Sequence, residues 1–584
     1  MHPFHALFFS SLTLQVTAST WTGCPPAGPL LPRPTQLSES SILRKSRESF
    51  ETTLEKALNG SISSGFSVEN TSFSLGLVTP DTSKPIWQYH HRGSANVNGT
   101  SVVDGDTQYL IGSISKLITD LLVLRTGIDL DTPVTQYLPK LVNTSSIVKW
   151  EEVTLASLAD HLSGIPPNYG FSEFYFLQPF LERLGFPLFD PAVLPKCGVT
   201  GLNRACSQDQ LLAGMSSVRP ITQSNTRPVY SQLSFTLLSY ALSAKYNLTY
   251  PELIKKYITQ PFNLTNTGVS PGNSSLAVIP PIESSWGAEY GDSAPGGGLY
   301  SSLNDLSIIA RAILDRTALS SASEVRAWLN PRSETSSPFY LVGRPWEIFR
   351  SQNLTPAYPH TIDIYGKNGG AYGYTSQFSL IDSYGIGIVV LTAGPPQGWT
   401  RLYDAILSVF LPAVEEEARA QAKQFTSNFT SSDNLVEMTL AIDDGPGLKL
   451  SRLSRNDSDI LTGISQVYAQ ALPQFGNLST DFRIFPTDIV QESSLTLSDN
   501  TNIPVTKEDW RINFDFLPNT AENSGSELPG QGARQLECTA WQTVDWFYYG
   551  NEAVDRVVVI RNGEGVVIGW EIPFLRAVVL KAVE

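Results

Sequence analysis

Strand-like segments stand at both ends of a long helical region, and this order constrains the fold more than any other feature of the chain. Two strand-like runs, at 71–80 and 85–93, precede the helical region, and two more, at 365–382 and 384–394, follow it. A late helix then closes the unit. This order predicts an α/β sandwich whose sheet is assembled from both ends of the domain.

Four segments have the apolar spacing of helices. They are 46–58, 115–127, 230–247 and 399–425. The second should end at its terminal glycine, because glycine commonly stops a helix. The last is expected to be interrupted near Pro412, because proline lacks the N–H that a helix interior needs.

The chain has 584 residues, which is too many for one hydrophobic core. Its character changes after about residue 427, where strand-like runs are punctuated by turns that contain glycine. We therefore expect a first domain at 20–425 and a separate β-rich domain at 426–584. No internal repeat is visible.

The N-terminus indicates secretion. An apolar block from Ala6 to Val16 is followed by the small residues Thr17, Ala18 and Ser19, a pattern typical of a signal peptide over residues 1–19. The segment before this block has histidines but no Lys or Arg, so an N-terminal anchor or a disordered tail is the alternative. No other apolar run reaches the roughly 18 residues of a membrane span.

Eleven Asn-x-Ser/Thr sites also suit a secreted surface that accepts glycans. They are Asn59, Asn70, Asn98, Asn143, Asn247, Asn263, Asn273, Asn353, Asn428, Asn456 and Asn477.

The chain has four cysteines, which allow three sets of two disulfides. Cys197 with Cys206 would close a short loop, and Cys24 with Cys538 would then tie the mature N-terminus to the C-terminal region. Four free buried thiols are the alternative, although an oxidising compartment favours the disulfides. The segment 170–207, rich in aromatic residues, proline and glycine, is expected to be a long loop.

Charge and motif content exclude several classes of protein. The net charge is -15 and no basic run offsets it, so a nucleic-acid partner is not expected. No CxxC or HExxH motif occurs, so we expect no metal site and no cofactor. A G-x-S-x-G elbow and an H-x-H-x-D cluster are also absent. The sequence carries no indication of oligomeric state.

The stretch "SISK" at 113–116 is a candidate catalytic motif. Residues three apart share a face of a helix, so Ser113 and Lys116 would project together. A neutral lysine can activate a serine, but near pH 7 this requires that the lysine pKa be lowered by about 3 units. The surroundings must then disfavour the charged amine by about 4 kcal/mol. Burial or a second nearby cation could lower the pKa in this way. The alternative is the polar start of an ordinary helix, because this spacing also arises by chance.

Six segments, taken in order over residues 45–415, resemble the serine β-lactamase and penicillin-binding-protein-like family. They are TQYLIGSISKLIT, LRTGIDLDTPVTQYLPKL, VTLASLADHLSGIPPNYG, TRPVYSQLSFTLLSYAL, SAPGGGLYSSLNDLSIIARAIL and YGKNGGAYGYTSQFSLIDSYGIGIVVLTAG. The resemblance implies a β-lactamase-like sandwich, in which helices flank an antiparallel sheet and a helical insertion interrupts it. The C-terminal part resembles the β-rich domain of secreted fungal β-lactamase-like proteins.

The resemblance also implies roles for the catalytic group. Ser113 would be the nucleophile, Lys116 its base, and Tyr230 the residue that shares proton transfer and protonates the leaving group. Apart from the resemblance, we interpret His161 as structural, positioning its loop through hydrogen bonds. Ser115 lies on a different face of the helix from Ser113, so we interpret it as support for the site.

Further implied roles fall on the segment after Tyr365. Lys367 would hold a substrate carboxylate or tune the protonation of the site. The backbone amides of Ser113 and Gly370 would form the oxyanion hole, and Gly369 and Gly370 would let a substrate approach the strand closely.

Two positions depart from the family pattern. Gln232 stands where the tyrosine motif usually has Asn, so substrate contact there is in doubt. In the Lys-Thr-Gly triplet of true β-lactamases, Asn368 stands in place of the threonine between Lys367 and Gly369. The resemblance therefore does not imply that the protein hydrolyses antibiotics.

The sequence therefore predicts a secreted serine hydrolase that forms an acyl-enzyme with an ester, amide, D-amino-acid peptide or lactam. The first alternative is an acyltransferase of secondary metabolism that uses the same serine. The second is a non-catalytic binding protein on this scaffold.

Overall fold

The structure is a computed structural model that describes residues 24–142, 146–199, 202–496, 501–517, 527 and 538–581. The predicted signal peptide and the acceptor Asn143 lie outside these residues. The described chain forms two compact units, one made of residues 33–354 and 361–418 and the other of the remaining described residues. The sequence analysis placed residues 24–32 in the first domain, whereas in the structure they belong to the second unit.

The first unit is built on an antiparallel eight-stranded sheet. The strands of this unit are β1 (Ser72–Val78), β2 (Trp87–His91), β3 (Asn98–Gly99), β4 (Tyr109–Leu110), β5 (Gly268–Val269), β6 (Val278–Ile279), β7 (Leu299–Ser301), β8 (Ser333–Glu334), β9 (Tyr340–Val342), β10 (Glu347–Ser351), β11 (Ile362–Ala371), β12 (Tyr374–Ile381) and β13 (Ile386–Ala393). The sheet has the order β2-β1-β13-β12-β11-β10-β9-β8. The early strand β1 pairs along its length with the late strand β13, so the sheet is assembled from both ends, as predicted.

Helices cover both faces of this sheet. The helices of the unit are α1 (Ser41–Leu58), α2 (Ile114–Thr126), α3 (Leu155–Ala159), α4 (Gln178–Arg183), α5 (Gln208–Gly214), α6 (Gln232–Tyr246), α7 (Tyr250–Ile254), α8 (Ala294–Gly297), α9 (Leu303–Leu314), α10 (Ala322–Leu329) and α11 (Gln397–Ala422). Helices α1 and α11 share one buried cluster with Phe73 and Leu75, whereas α2, α6 and α9 share the other with Phe378 and Leu380. The predicted sandwich with a helical insertion is confirmed.

Helix α11 corrects one prediction, because it continues through Pro412 without interruption. Proline removes one hydrogen bond inside a helix and usually kinks or breaks it. Here Phe410, Leu411 and Val414 are buried in the apolar cluster under the sheet. Burial of these neighbours holds the segment helical, so the tertiary packing outweighs the local preference.

The segment 170–207 is not a plain loop, because it contains α4 and short 3-10 turns. Many of its apolar side chains are exposed, among them Phe171, Phe174, Phe176, Phe180, Phe186 and Leu188. The predicted disulfide between Cys197 and Cys206 is formed at its end.

The second unit is β-rich, as predicted. Its elements are β14 (Ser427–Ser431), β15 (Val436–Ala441), β16 (Leu448–Arg455), β17 (Ser458–Asp459), α12 (Ile460–Ala471), β18 (Arg483–Thr496), β19 (Asn502–Asn513), β20 (Tyr548–Tyr549), β21 (Glu552–Ala553), β22 (Arg556–Asn562), β23 (Val567–Ile572) and β24 (Ala577–Lys581). In the described residues, pairing of β15 with β16 closes an antiparallel sheet into a ring, whose other members are β14, β24, β23, β22, β19 and β18.

Aromatic side chains fill part of the second unit. Trp510 and Trp570 are fully buried with ring centroids 5.4 Å apart, and Phe425 packs 5.2 Å from Trp510. Within the same unit, the predicted disulfide joins Cys24 to Cys538.

Three further observations concern the described residues alone. None of their helices has both the length and the apolar character needed to cross a membrane. They hold no cluster of three or more His, Cys, Asp or Glu side chains placed to bind a metal ion. Of the ten acceptor asparagines among them, Asn70 is partly buried and the others are exposed.

Candidate active site

A sharp turn presents Ser113 at the start of helix α2. Gly112 has φ = +48°, and a Cβ there would come within 2.5 Å of the backbone nitrogen of Gly370 on β11. Only glycine accepts both the left-handed backbone and this close approach. Helix α2 runs from Ile114 to Thr126 with Gly127 as its C-cap, close to the predicted bounds. The turn therefore brings Ser113 against the strand that the family resemblance singled out.

The hydroxyl of Ser113 lies within hydrogen-bonding distance of two functional groups. Nζ of Lys116 is 3.1 Å from Ser113 Oγ, and the phenol of Tyr230 donates to the same oxygen at 2.6 Å. Ser113 is half-buried, whereas Tyr230 is 44% exposed. The structure thus brings together the three residues that the sequence predicted as a catalytic group.

Lys116 is fully buried, and two carbonyl oxygens accept hydrogen bonds from its amine. Nζ donates to Oε1 of Gln232 and to the backbone oxygen of Gly296, each at 2.6 Å. A neutral amine has two N–H bonds and one lone pair. When both N–H bonds of a neutral Lys116 amine are donated to these two oxygens, its lone pair is left for the third neighbour, the hydroxyl of Ser113.

The pKa of Lys116 is lowered well below its ordinary value. Burial is the largest cause, the nearby charge of Lys367 lowers it further, and Glu347 opposes the shift. Burial and a second cation are the two causes that the sequence argument required.

The ring of Tyr230 lies close to the side-chain nitrogens of two lysines and to a buried imidazole. Its ring centroid is 4.7 Å from Nζ of Lys116 and 5.2 Å from Nζ of Lys367. The ring of His161 stacks on it with centroids 4.7 Å apart. These contacts, together with the hydrogen bond to Ser113, restrict the movement of the ring.

The side chains of His161 and Ser115 each accept a hydrogen bond from a backbone N–H. Burial, followed by the charges of Lys116 and Lys367, holds the pKa of His161 well below its ordinary value. Nδ1 of the neutral ring accepts the backbone N–H of Ser231 at 3.2 Å. Ser115 is buried and its hydroxyl accepts the N–H of Leu299 at 3.0 Å, away from the nucleophile.

Strand β11 carries the remaining predicted residues. Lys367 donates to Glu347 Oε1, and the Asn368 side chain donates to Oε2 of the same carboxylate at 2.7 Å. A Cβ on Gly369 would meet the carbonyl of Ile111 at 2.0 Å, whereas a Cβ on Gly370 would find open space within 4 Å. Gly369 therefore allows close packing against the nucleophile segment, and Gly370 leaves room for a ligand.

The open part of β11 follows from the strand register. Strand β10 pairs with β11 from Ser351 to Glu347, and the last pair is Glu347 with Gly366. From Lys367 onwards, the described register pairs β11 with β12. An extended ligand could therefore lie along β11 beside Gly370.

Sequence reasoning missed three residues of the site. Glu347 binds Lys367 across two strands, and no local motif marks it. Gly296, whose carbonyl accepts from Lys116, lies inside the glycine run of the fifth resembling segment. Ser376 donates to the carbonyl of Ile111 at 2.8 Å and so anchors the turn before Ser113.

Comparison with protein-family models identifies the family of the chain. The family model described as Beta-lactamase matches residues 77–410. The chain belongs to the beta-lactamase family. A second family model, described as "Beta-lactamase-like-like, C-terminal domain", matches residues 417–583 of this beta-lactamase-like chain.

Curated relatives extend over almost the whole chain. A "Beta-lactamase-like protein" of Arthroderma benhamiae is 47% identical over 595 residues, covering 98% of this chain and 99% of its own length. "Probable hydrolase M10" of a Phoma species is 24% identical, covering 87% and 85%. Among solved structures, the octameric penicillin-binding protein homologue from Pyrococcus abyssi is 17% identical with a TM-score of 0.43, covering 80% of this chain and 98% of that one.

Proposed function

We propose that this chain is a secreted serine hydrolase in which Ser113 forms an acyl-enzyme with an ester, amide or lactam. The observation that supports this most is the position of one hydroxyl oxygen, Ser113 Oγ, within hydrogen-bonding distance of both Lys116 Nζ and Tyr230 OH. Membership of the beta-lactamase family and relatives named as probable hydrolases agree with the proposal.

In acylation, Ser113 Oγ attacks the carbonyl carbon of the substrate and its proton passes to the neutral amine of Lys116. The negative charge on the carbonyl oxygen is stabilised by the backbone N–H groups of Ser113 and Gly370. When the bond to the leaving group breaks, Tyr230 gives it a proton and takes the proton from Lys116. The site then carries an acyl group on Ser113 and a neutral lysine.

In deacylation, a water molecule takes the place of the leaving group. Its proton goes through Tyr230 to Lys116, and its oxygen attacks the acyl carbon. The tetrahedral intermediate collapses with return of the proton to Ser113. Attack by an alcohol or amine in place of water would make the chain an acyltransferase, and the same residues would carry that reaction.

Labelling with a fluorophosphonate probe tests the nucleophile. We expect the wild type to gain the mass of one phosphonyl group and Ser113→Ala to gain none, by intact-protein mass spectrometry. Ser115→Ala is the matched control, because Ser115 is two residues away and its hydroxyl is directed at Leu299. Equal labelling of Ser113→Ala and the wild type would contradict the assignment.

A second experiment separates hydrolysis from acyl transfer. An ester donor is supplied alone and with an alcohol or amine acceptor, and the products are identified by mass spectrometry. Release of the free acid at an unchanged rate supports the hydrolase. An acylated acceptor as the main product would instead assign the acyltransferase.

Secretion is tested on protein recovered from the culture medium of a eukaryotic host. We expect an N-terminus after Ser19 and a fall in mass on treatment with an N-glycosidase. Retention of residues 1–19 in mature protein would contradict the proposal.

A further inference from the structure

The cation on β11 is already paired inside the protein. Nζ of Lys367 donates to Oε1 of Glu347 at 2.5 Å and to the backbone oxygen of Asn368 at 3.0 Å. The side chain of Lys367 is 1% exposed, whereas that of Glu347 is 31% exposed. A ligand that reaches this pair from solvent therefore meets the carboxylate and not the ammonium.

Asn368 holds the carboxylate from its other side. Its backbone N–H and its side-chain amide donate to Oε2 of Glu347 at 3.2 and 2.7 Å. Together with Lys367, three donors fix one carboxylate, and charge-assisted hydrogen bonds of this kind are the strong ones. Glu347 is thus a fixed part of the site.

The pair also lies next to the reacting group. Nζ of Lys367 is 5.2 Å from the ring centroid of Tyr230, and the hydroxyl of Tyr230 donates a hydrogen bond to Ser113. Glu347 stands opposite Gly366, where the pairing of β10 with β11 stops and the open part of β11 begins. A ligand along this part of β11 would place its acyl end near the carboxylate.

We propose that Glu347 sets the substrate class, by selecting acyl donors without a carboxylate near the scissile carbonyl. The inference rests on the proposed acyl-enzyme function and makes it narrower. A donor carboxylate would have to share Lys367 with a fixed carboxylate, and like charges brought together oppose binding. Neutral or cationic esters and amides meet no such repulsion. On this proposal, Lys367 tunes the protonation of the site, which is the second of the two roles that the family resemblance implied for it, and does not hold a substrate carboxylate.

A matched pair of esters tests this inference. 4-Nitrophenyl hydrogen glutarate ends in a carboxylate, and 4-nitrophenyl hexanoate has an acyl chain of the same length with a methyl end. We expect the wild type to prefer the hexanoate by at least about tenfold in kcat/KM, and Glu347→Gln to lower this preference by about tenfold or more. The ratio cancels any general loss of activity in the variant.

Two control variants accompany the test. Glu347→Asp keeps the charge and should keep the preference for hexanoate. Glu334→Gln makes the same change of charge at an exposed position on β8 and should also leave the ratio unchanged. An unchanged ratio in Glu347→Gln, or the same change in Glu334→Gln, would overturn the inference.

Binding separates this inference from the proposed function. In the Ser113→Ala protein, the dissociation constants of both esters are measured by calorimetry with and without Glu347→Gln. Tighter binding of hexanoate that depends on Glu347 would uphold the inference even if the wild type proved unable to form an acyl-enzyme. Equal binding of the two esters, or no binding of either, would overturn it.

Discussion

Oε1 of Gln232 accepts a hydrogen bond from Nζ of Lys116 at 2.6 Å. Gln232 is one methylene longer than the Asn usual at this position of the motif, and the missing Cβ of Gly296 makes room for it. A Cβ on Gly296 would lie 2.2 Å from Nε2 of Gln232, which itself donates to the backbone oxygen of Ser293 at 2.9 Å. The amide is held at both ends, so it can orient the amine of Lys116.

We expect Gly296→Ala to lower kcat/KM by roughly 10- to 100-fold, because the new methyl group would push Gln232 away from Lys116. Gly297→Ala is the matched control, since its Cβ would meet Gln232 at an ordinary 3.5 Å. Adding Gln232→Asn to Gly296→Ala should restore part of the activity, because the shorter amide avoids the methyl group. Equal activities of the two alanine variants would contradict this account.

The pH dependence of kcat/KM should report the charges around Lys116. In the proposed mechanism Lys116 is a base only when neutral, so we expect activity to fall as the pH drops below its pKa. The charge of Lys367 lowers that pKa and Glu347 raises it. The acid limb of the profile should therefore move to higher pH in Lys367→Met and to lower pH in Glu347→Gln.

The control for these profiles is Lys45→Met, which removes one positive charge from an exposed position on α1. Its acid limb should coincide with that of the wild type. A shift of the same sign in Lys367→Met and Glu347→Gln would exclude Lys116 as the titrating base.

A buried ion pair supports the first unit. Arg344 donates to both carboxylate oxygens of Asp160, at 2.5 and 3.2 Å, and both side chains are 9% exposed. The charge of Arg344 also opposes the rise that burial causes in the pKa of Asp120. Arg344→Met leaves buried acids without their cation, so we expect the free energy of unfolding to fall by about 3–5 kcal/mol.

Urea unfolding of both proteins measures this difference. Arg326→Met, at an exposed position on α10, should stay within about 0.5 kcal/mol of the wild type. A loss as small as that of the control would show that Arg344 is not needed for stability.

In the second unit, burial is the largest cause that raises the pKa of Asp555 to about 6. Between about pH 4 and pH 6, Asp555 therefore stays protonated in the folded state, whereas it is ionised in the unfolded chain. The stabilisation is complete below the unfolded pKa and is lost as the pH rises through about 6. It amounts to about 3 kcal/mol at 1.36 kcal/mol per unit.

Asp555→Asn cannot titrate, so its stability relative to the wild type should increase between pH 4 and pH 8. The free energy of unfolding at several pH values measures this change. Asp444→Asn, at an exposed position of the same unit, is the control and should follow the wild type. Parallel curves for Asp555→Asn and the wild type would contradict the assignment.

Some features of the fold and site could be predicted because their causes are local. The spacing of Ser113 and Lys116 on one helix, and the stop of that helix at Gly127, depend on residues within a few positions of each other. The order of strand-like and helical segments predicted a sheet with strands from both ends. Pro412 shows the limit, because the packing of its neighbours outweighs its local preference.

The sequence by itself thus determined which segments form the sandwich and which serine is in register with a lysine. Only the tertiary structure decided what surrounds that serine. The carbonyl of Gly296 reaches Lys116 from 180 positions away, and Glu347 reaches Lys367 through the register of two strands. Such contacts depend on how distant segments pack, and no spacing within one segment encodes them.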